Sequence, residues 1–253
     1  TTTLAGNSGN NILNSSGLES TLVQGFQGQD TITLARVDDE GNGGKGNDTI
    51  GYTATGTHKN IVSGGAGNDS ITFLSATVYS QSIASGEGDD LITFGGGATD
   101  ELVSSLQVAG NQGNDTIVFN TTNVARSIVQ SYVGLGQGND SVTFGGALTT
   151  VTSTDVFAGK GLDTLDLDGL QGTTSTMNGG EGSDQISLLG ASLSSAKVGA
   201  GRGSDSITLG GATTFTGSIA GGGLSDTINL DDVVFANGTA VRIYGDANGV
   251  TTL

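Results

Sequence analysis

Apolar residues come in short bursts along this chain, alternating with polar ones for a few positions and returning about 21 residues later. The register becomes clear when counted from the aspartates that close a recurring Gly-x-Gly-x-Asp-like turn. These are Asp30, Asp48, Asp69, Asp90, Asp115, Asp140, Asp163, Asp184, Asp205 and Asp226. Two residues after each aspartate stands Ile, Val or Leu (Ile32, Ile71, Val142, Leu165). Four residues after stands an aromatic or Leu (Tyr52, Phe73, Phe94, Phe119, Phe144, Leu188). Seven residues before comes a further apolar column (Val23, Val62, Ile83, Val108, Val133, Val156, Met177, Val198, Ile219), broken only by Gly41. Alternation of this kind predicts short strands with one buried face.

Each repeat therefore predicts strand, tight turn, strand and a second turn. Spacings from Asn11, a degenerate first copy in GNSGNNIL, run 19, 18, 21, 21, 25, 25, 23, 21, 21 and 21. The segment from −7 to +4 keeps its register, so the length variation falls on the opposite edge, in Thr-, Ser- and Gly-rich stretches such as Asn120–Asn123 and Ala147–Thr154 read as surface turns. A fixed period with one tolerant edge is the signature of a solenoid. The expected fold is an all-β parallel solenoid of about eleven coils, roughly 50 Å long at ~4.8 Å per strand. We read residues 1–253 as one domain, with a weak first coil over 1–29 and an irregular end over 231–253.

Composition narrows the chemistry. The chain has 46 Gly, no Pro, Cys or Trp, and 25 acidic against 8 basic residues, a formal charge of −17. So acidic a surface repels nucleic acid and anionic lipid and attracts cations. The lack of cysteine leaves no disulfide framework and no thiolate metal site. No apolar run reaches the length a membrane helix needs, so membrane insertion is not expected.

The turns carry the candidate chemistry. Gly at −4 and −2 (Gly65 and Gly67, Gly136 and Gly138) permits positive φ, which turns carbonyls inward. In a stack, the ten aspartates would lie ~5 Å apart, each neighbouring pair repelling by roughly 3 kcal/mol at an effective dielectric of ~20. Carboxylate and carbonyl oxygens at this density suit Ca2+ better than Mg2+. One ion between successive aspartates gives about nine, close to charge balance with the −17 of the chain. The plainer alternative is a metal-free asparagine or aspartate ladder, as in ordinary parallel β-helices.

GGKGNDTIG at Gly43–Gly51, GGAGNDSIT at Gly64–Thr72 and GGEGSDQIS at Gly179–Ser187 resemble the RTX (hemolysin-type calcium-binding repeat) nonapeptide, G-G-x-G-x-D-x-U-x with U apolar. The resemblance implies a right-handed parallel β-roll that orders on binding Ca2+, with the ten aspartates as metal ligands, about one ion per coil. Arrays of that family repeat every nine residues, whereas here one edge alone carries the motif, implying a single ion column. Leu162 at −1 and Leu224 at −2 weaken their copies, and the sites touching Asn11 and Asp226 are the weakest.

Nothing else competes. His58, the only histidine, stands beside Lys59 in a variable turn and reads as a loop residue rather than a general base. Arg126, Arg202 and Arg242 read as solvated or salt-bridged; Asp166 and Asp168 read as solvent-facing. Thr and Ser at +1 and +3 suit exposed strands, and Gly51, Val118, Asp166 and Asn229 interrupt the row that would otherwise resemble an ice-binding face. The expectation is a non-enzymatic, extracellular, calcium-rigidified rod of a bacterial surface layer, sheath, fibre or adhesin. It would self-associate or continue into a larger surface protein, with polysaccharide as a further partner. The alternatives are an accessory module of a secreted enzyme and, behind it, an ice-binding module. The start at Thr1 and the uncapped ends fit a mature product or a piece of a longer chain.

Overall fold

A computed structural model describes residues 2–54, 61–74, 77–95, 101–119, 126–145, 149–211, 213–235 and 242–244. His58 and the stretch Asn120–Asn123 lie outside them, as does most of 231–253. The described residues form strands and turns, and every strand pairing is parallel. The chain winds as the predicted solenoid, its second sheet holding eleven strands, one per coil, from Ile12–Asn14 to Thr227–Leu230.

Two rows of strands flank the aspartate turn. One enters it (Ile61–Ala66, Ser82–Glu87, Gln107–Gln112, Tyr132–Gln137), and the other leaves it (Ser70–Phe73, Leu91–Phe94, Thr116–Phe119, Ser141–Phe144). Ladder registers hold like residues together: Val62, Ile83, Val108 and Val133 pair in series, as do Ile71, Ile92, Ile117 and Val142. All are at most 1% exposed. The +4 column stacks Tyr52, Phe73, Phe94, Phe119 and Phe144 with centroids 4.7–5.3 Å apart, the strand spacing itself. Where Gly41 interrupts the −7 column, Leu34 fills the gap, its Cδ1 within 2.7 Å of the point a Cβ would occupy.

The far edge differs from the expectation. The stretch Ala147–Thr154, read as a turn, contains the strand Thr149–Thr152, and equivalent strands occupy Thr77–Tyr79, Glu101–Ser104, Arg126–Val129 and Gln171–Thr173. They form a third row, whose inward column at −12 (Val78, Val103, Ile128, Val151, Leu193) is at most 2% exposed. From the coil of Asp90 to that of Asp205 register thus holds from −12 to +4, with insertions between +5 and the third row, and a shift between Leu193 and Ala196 ends it at the last coil. The −10 residue joins third row to first with φ of 49–56° (Ser80, Ser105, Gln130, Ser153, Thr174, Ser195). Beside it the −9 side chain turns inward. Ser131, Thr154 and Ser175 donate to the carbonyls of Val129, Thr152 and Thr173 at 2.9–3.2 Å.

Candidate metal centre

Left-handed glycines at −4 and −2 (Gly65, φ 120°; Gly67, φ 125°) curl each turn so that the aspartate side chain points under it rather than into solvent. All ten predicted aspartates come together in one buried column, each 1–4% exposed. Oδ1 of each accepts the backbone N–H of the equivalent residue one coil earlier. Nine such bonds link Asp30 through Asp226 at 2.7–3.1 Å, and Asn11 N–H donates to Asp30 Oδ1 at 2.7 Å.

The other oxygen has no protein partner. Oδ2 of all ten aspartates is buried without a hydrogen bond. A buried carboxylate oxygen left so is costly, and ten in a line is a pattern rather than an accident. Burial drives the carboxyls up, to about 7 for Asp69 and Asp115 and about 6 for Asp140, Asp163, Asp184 and Asp205. The backbone N–H at Oδ1 opposes this only in part. Neighbouring column charges add to the rise at Asp69, Asp115, Asp163, Asp184 and Asp205. Asp48 and Asp90 are raised for the same leading cause, although at Asp90 the neighbouring Ser85 hydroxyl favours the charged form and offsets part of it.

The donor set fits a hard cation. A Cβ placed on Gly25, Gly43, Gly64, Gly110 or Gly179, all at −5, would collide with Oδ2 of its own aspartate. It would also collide with the −5 carbonyl oxygen of the next coil (Gly43, Gly64, Ser85, Leu135 and Ala200 respectively). A carboxylate oxygen and a carbonyl oxygen thus converge over a residue with no side chain. Among the described residues no three His, Cys, Asp or Glu side chains meet at one point. A cation here would draw on carbonyls as much as on carboxylates, the habit of Ca2+.

Sequence reasoning missed a second ladder just outside the first. Asn68 N–H donates to Asn47 Oδ1 (2.9 Å), Asp89 N–H to Asn68 Oδ1 (3.0 Å), Asn114 N–H to Asp89 Oδ1 (2.7 Å) and Asn139 N–H to Asn114 Oδ1 (2.8 Å). It runs opposite to the inner ladder: here the earlier coil supplies the side chain. The signal was the small polar residue at −1. Leu162, 60% exposed, donates its N–H to Asn139 Oδ1 at 2.9 Å but has no side-chain acceptor to offer the next coil. Asp168, expected in solvent, is half-buried and accepts from Ser187 Oγ (2.6 Å) and Leu189 N–H (2.8 Å), pinning the next coil. Arg202 pairs with Glu181 at 3.6 Å, as anticipated.

These features define a class: an all-strand parallel β-solenoid with a buried aspartate column along one edge. Among solved structures it is similar to a hyperactive, Ca2+-dependent, β-helical antifreeze protein from an Antarctic bacterium, with a TM-score of 0.62 and 18% identity over 94% of this chain and 80% of that one. At that identity the likeness is one of fold. No family model matches the chain, and a search of the curated proteins finds no match.

Proposed function

We propose that this chain is a calcium-rigidified, non-enzymatic rod of RTX type, working outside a bacterial cell as part of a surface layer, sheath, fibre or adhesin. The observation that carries it is the line of ten buried Oδ2 atoms with no protein partner, five of them (Asp30, Asp48, Asp69, Asp115 and Asp184) beside an inward carbonyl. Calcium between successive coils gives those oxygens a ligand and offsets the column's self-repulsion. The ion is a structural spine and catalyses nothing. The Ca2+ dependence of the antifreeze protein with the same fold supports the reading. Circular dichroism at neutral pH tests it: β structure should collapse in excess EDTA and return with millimolar calcium. Full β structure in chelator, with no calcium uptake by calorimetry, would sink it. For the rod itself, monomers that never assemble under electron microscopy in millimolar calcium would count against a surface layer or fibre. They would favour an accessory module of a secreted enzyme instead.

A second reading is ice binding. It is favoured by the antifreeze fold and by the outward Thr and Ser of the second sheet (Thr31, Thr33, Thr72, Thr93, Thr143, Thr208). An ice-growth assay decides it: activity in the calcium-loaded protein that Thr72→Lys abolishes would establish it, and an inactive parent protein would end it.

A further inference from the structure

Three cavities of about 420, 560 and 730 Å3 lie end to end on the outward face of the row of strands that enters the aspartate turn. The first two share Gly44 and Lys45, and the last two share Asn111 and Gln112. They form one open trench from Phe26 to Arg202, eight strand steps or about 38 Å long. Its floor is the −4 column, where left-handed glycine is the rule (Gly44, Gly65, Gly86, Gly136, Gly159, Gly180; φ 110–127°). A Cβ on any of them would strike the carbonyl of the coil before.

Two residues break the rule inside the trench. Phe26 (φ 78°) and Asn111 (φ 80°) hold the same left-handed conformation with side chains attached. The cost is real for a bulky residue such as Phe, and the six glycines of the same floor show that the turn does not require a side chain there. Phe26 is half exposed and Asn111 is exposed. Neither side chain contributes to the core, so the strain serves the trench. Leu224 shares the conformation but stands at −2, away from it.

The lining names the ligand. Amides dominate: Gln24, Gln27, Asn42, Gln112 and Gln137 join Asn111. A primary amide offers two donors and an acceptor, the complement of neighbouring sugar hydroxyls. Phe26 supplies an exposed aromatic face. The exposed Tyr132 supplies another on the same sheet face, stacked on Phe157 at 5.7 Å and folded over Gly134. The charges along it are sparse and mixed in sign: Glu181 lies between Lys160 at 3.5 Å and Arg202 at 3.6 Å, and Lys45 and Glu87 line the middle stretch. On a chain of formal charge −17, this trench offers no unmatched cationic row for a polyanion. We infer that it binds an internal stretch of a neutral, linear polysaccharide lying along the solenoid axis, with Phe26 and Asn111 as its two raised contacts. This goes beyond the rod reading and does not depend on it.

The test uses calcium-loaded protein whose fold is confirmed by circular dichroism, run in native gels containing galactomannan, mixed-linkage β-glucan or xylan, with alginate as the anionic comparator. At least one neutral polymer should retard it, and the double variant Phe26→Gly, Asn111→Gly should bind about tenfold more weakly or worse. Because both changes restore the residue the floor prefers, the variant's melting temperature should equal or exceed that of the parent. Three outcomes would overturn the proposal: no retardation by any neutral polymer, retardation by alginate alone, or equal binding by the double variant. Loss of binding accompanied by a lower melting temperature would also overturn it, since the two residues would then be structural.

Discussion

On one edge of the solenoid, Asp115 and Asp140 each bury a carboxylate oxygen with nothing in the protein to receive. On the opposite edge, Ser131, Thr154 and Ser175 bury hydroxyls that each find a carbonyl two residues back. Both columns repeat at the strand spacing, both face inward and both close a turn. A neutral hydroxyl gives its proton to a carbonyl of its own coil and a lone pair to an N–H of the coil before, as Ser131 and Ser175 do with Leu106 and Thr154, and nothing is left over. A charged carboxylate needs the coils above and below, and still leaves an oxygen over. The hydroxyl edge is complete as folded, whereas the aspartate edge asks for something from outside.

The sharpest way to break the contrast is to make the aspartate edge self-sufficient at one position. Asp115→Asn keeps the Oδ1 that accepts from Asp90 N–H and replaces the orphaned oxygen with an NH2 group able to donate to the carbonyl beside it. In calcium the substitution removes a charged ligand and should cost about 3–5 kcal/mol, by the penalty for stripping one partner from a buried charge pair. In chelator the sign should invert, with a gain of about 1 kcal/mol from the new hydrogen bond. Urea melts with and without calcium check it. The same sign in both conditions would mean that no cation uses that oxygen.

Acidity sharpens it next. Without metal, burial holds Asp69, Asp115, Asp140, Asp163, Asp184 and Asp205 at about 6 to 7, above the 3.8 of a free aspartate. The folded state therefore holds protons that the unfolded chain gives up first. Metal-free stability is full below about pH 4 and falls as pH rises through 6 to 7. Calcium needs the ionised form, so its effect runs the other way and grows over the same window. Thermal melts from pH 4 to 8 should diverge between chelated and calcium-loaded samples, with the gap widening upward. Parallel curves would contradict the shifted carboxyls.

How much of this could be read from residues alone follows the same division. The aspartate edge was legible because its demands are chemical: left-handed glycines, a carboxylate and a β-branched residue two places on, as in GGAGNDSIT, leave few substitutes. The +4 column of Phe73 through Phe144 was legible because large rings show plainly at a fixed offset. What stayed hidden was the third row. Its −12 valines sit among Thr and Ser, as in Thr149–Thr152, and its −9 column mixes Leu106, Ser131, Thr154, Ser175 and Ala196. No hydropathy pattern marks a serine as buried when its hydroxyl is satisfied by a carbonyl two residues back. Nor could spacing show which carboxylate oxygen would be left over, since that depends on the N–H of the coil before.

The smallest effect is expected on the hydroxyl edge, and its value lies in being indifferent to metal. Ser175 Oγ donates to Thr173 O at 3.2 Å and accepts Thr154 N–H at 3.2 Å, so one small side chain joins two coils. Ser175→Ala leaves Thr154 N–H buried without that acceptor, a loss of about 1–3 kcal/mol, with the long bonds placing it near the lower end. A −9 alanine is already accepted at Ala196, fully buried, so the site tolerates the shape. Melts should therefore show the same modest loss in calcium and in chelator, because nothing at this edge touches the aspartate column except through the shared core. A loss that appears only in calcium would mean that the two edges are coupled across the coil, and that the hydroxyl row helps set the spacing at which the carboxylates meet their ion.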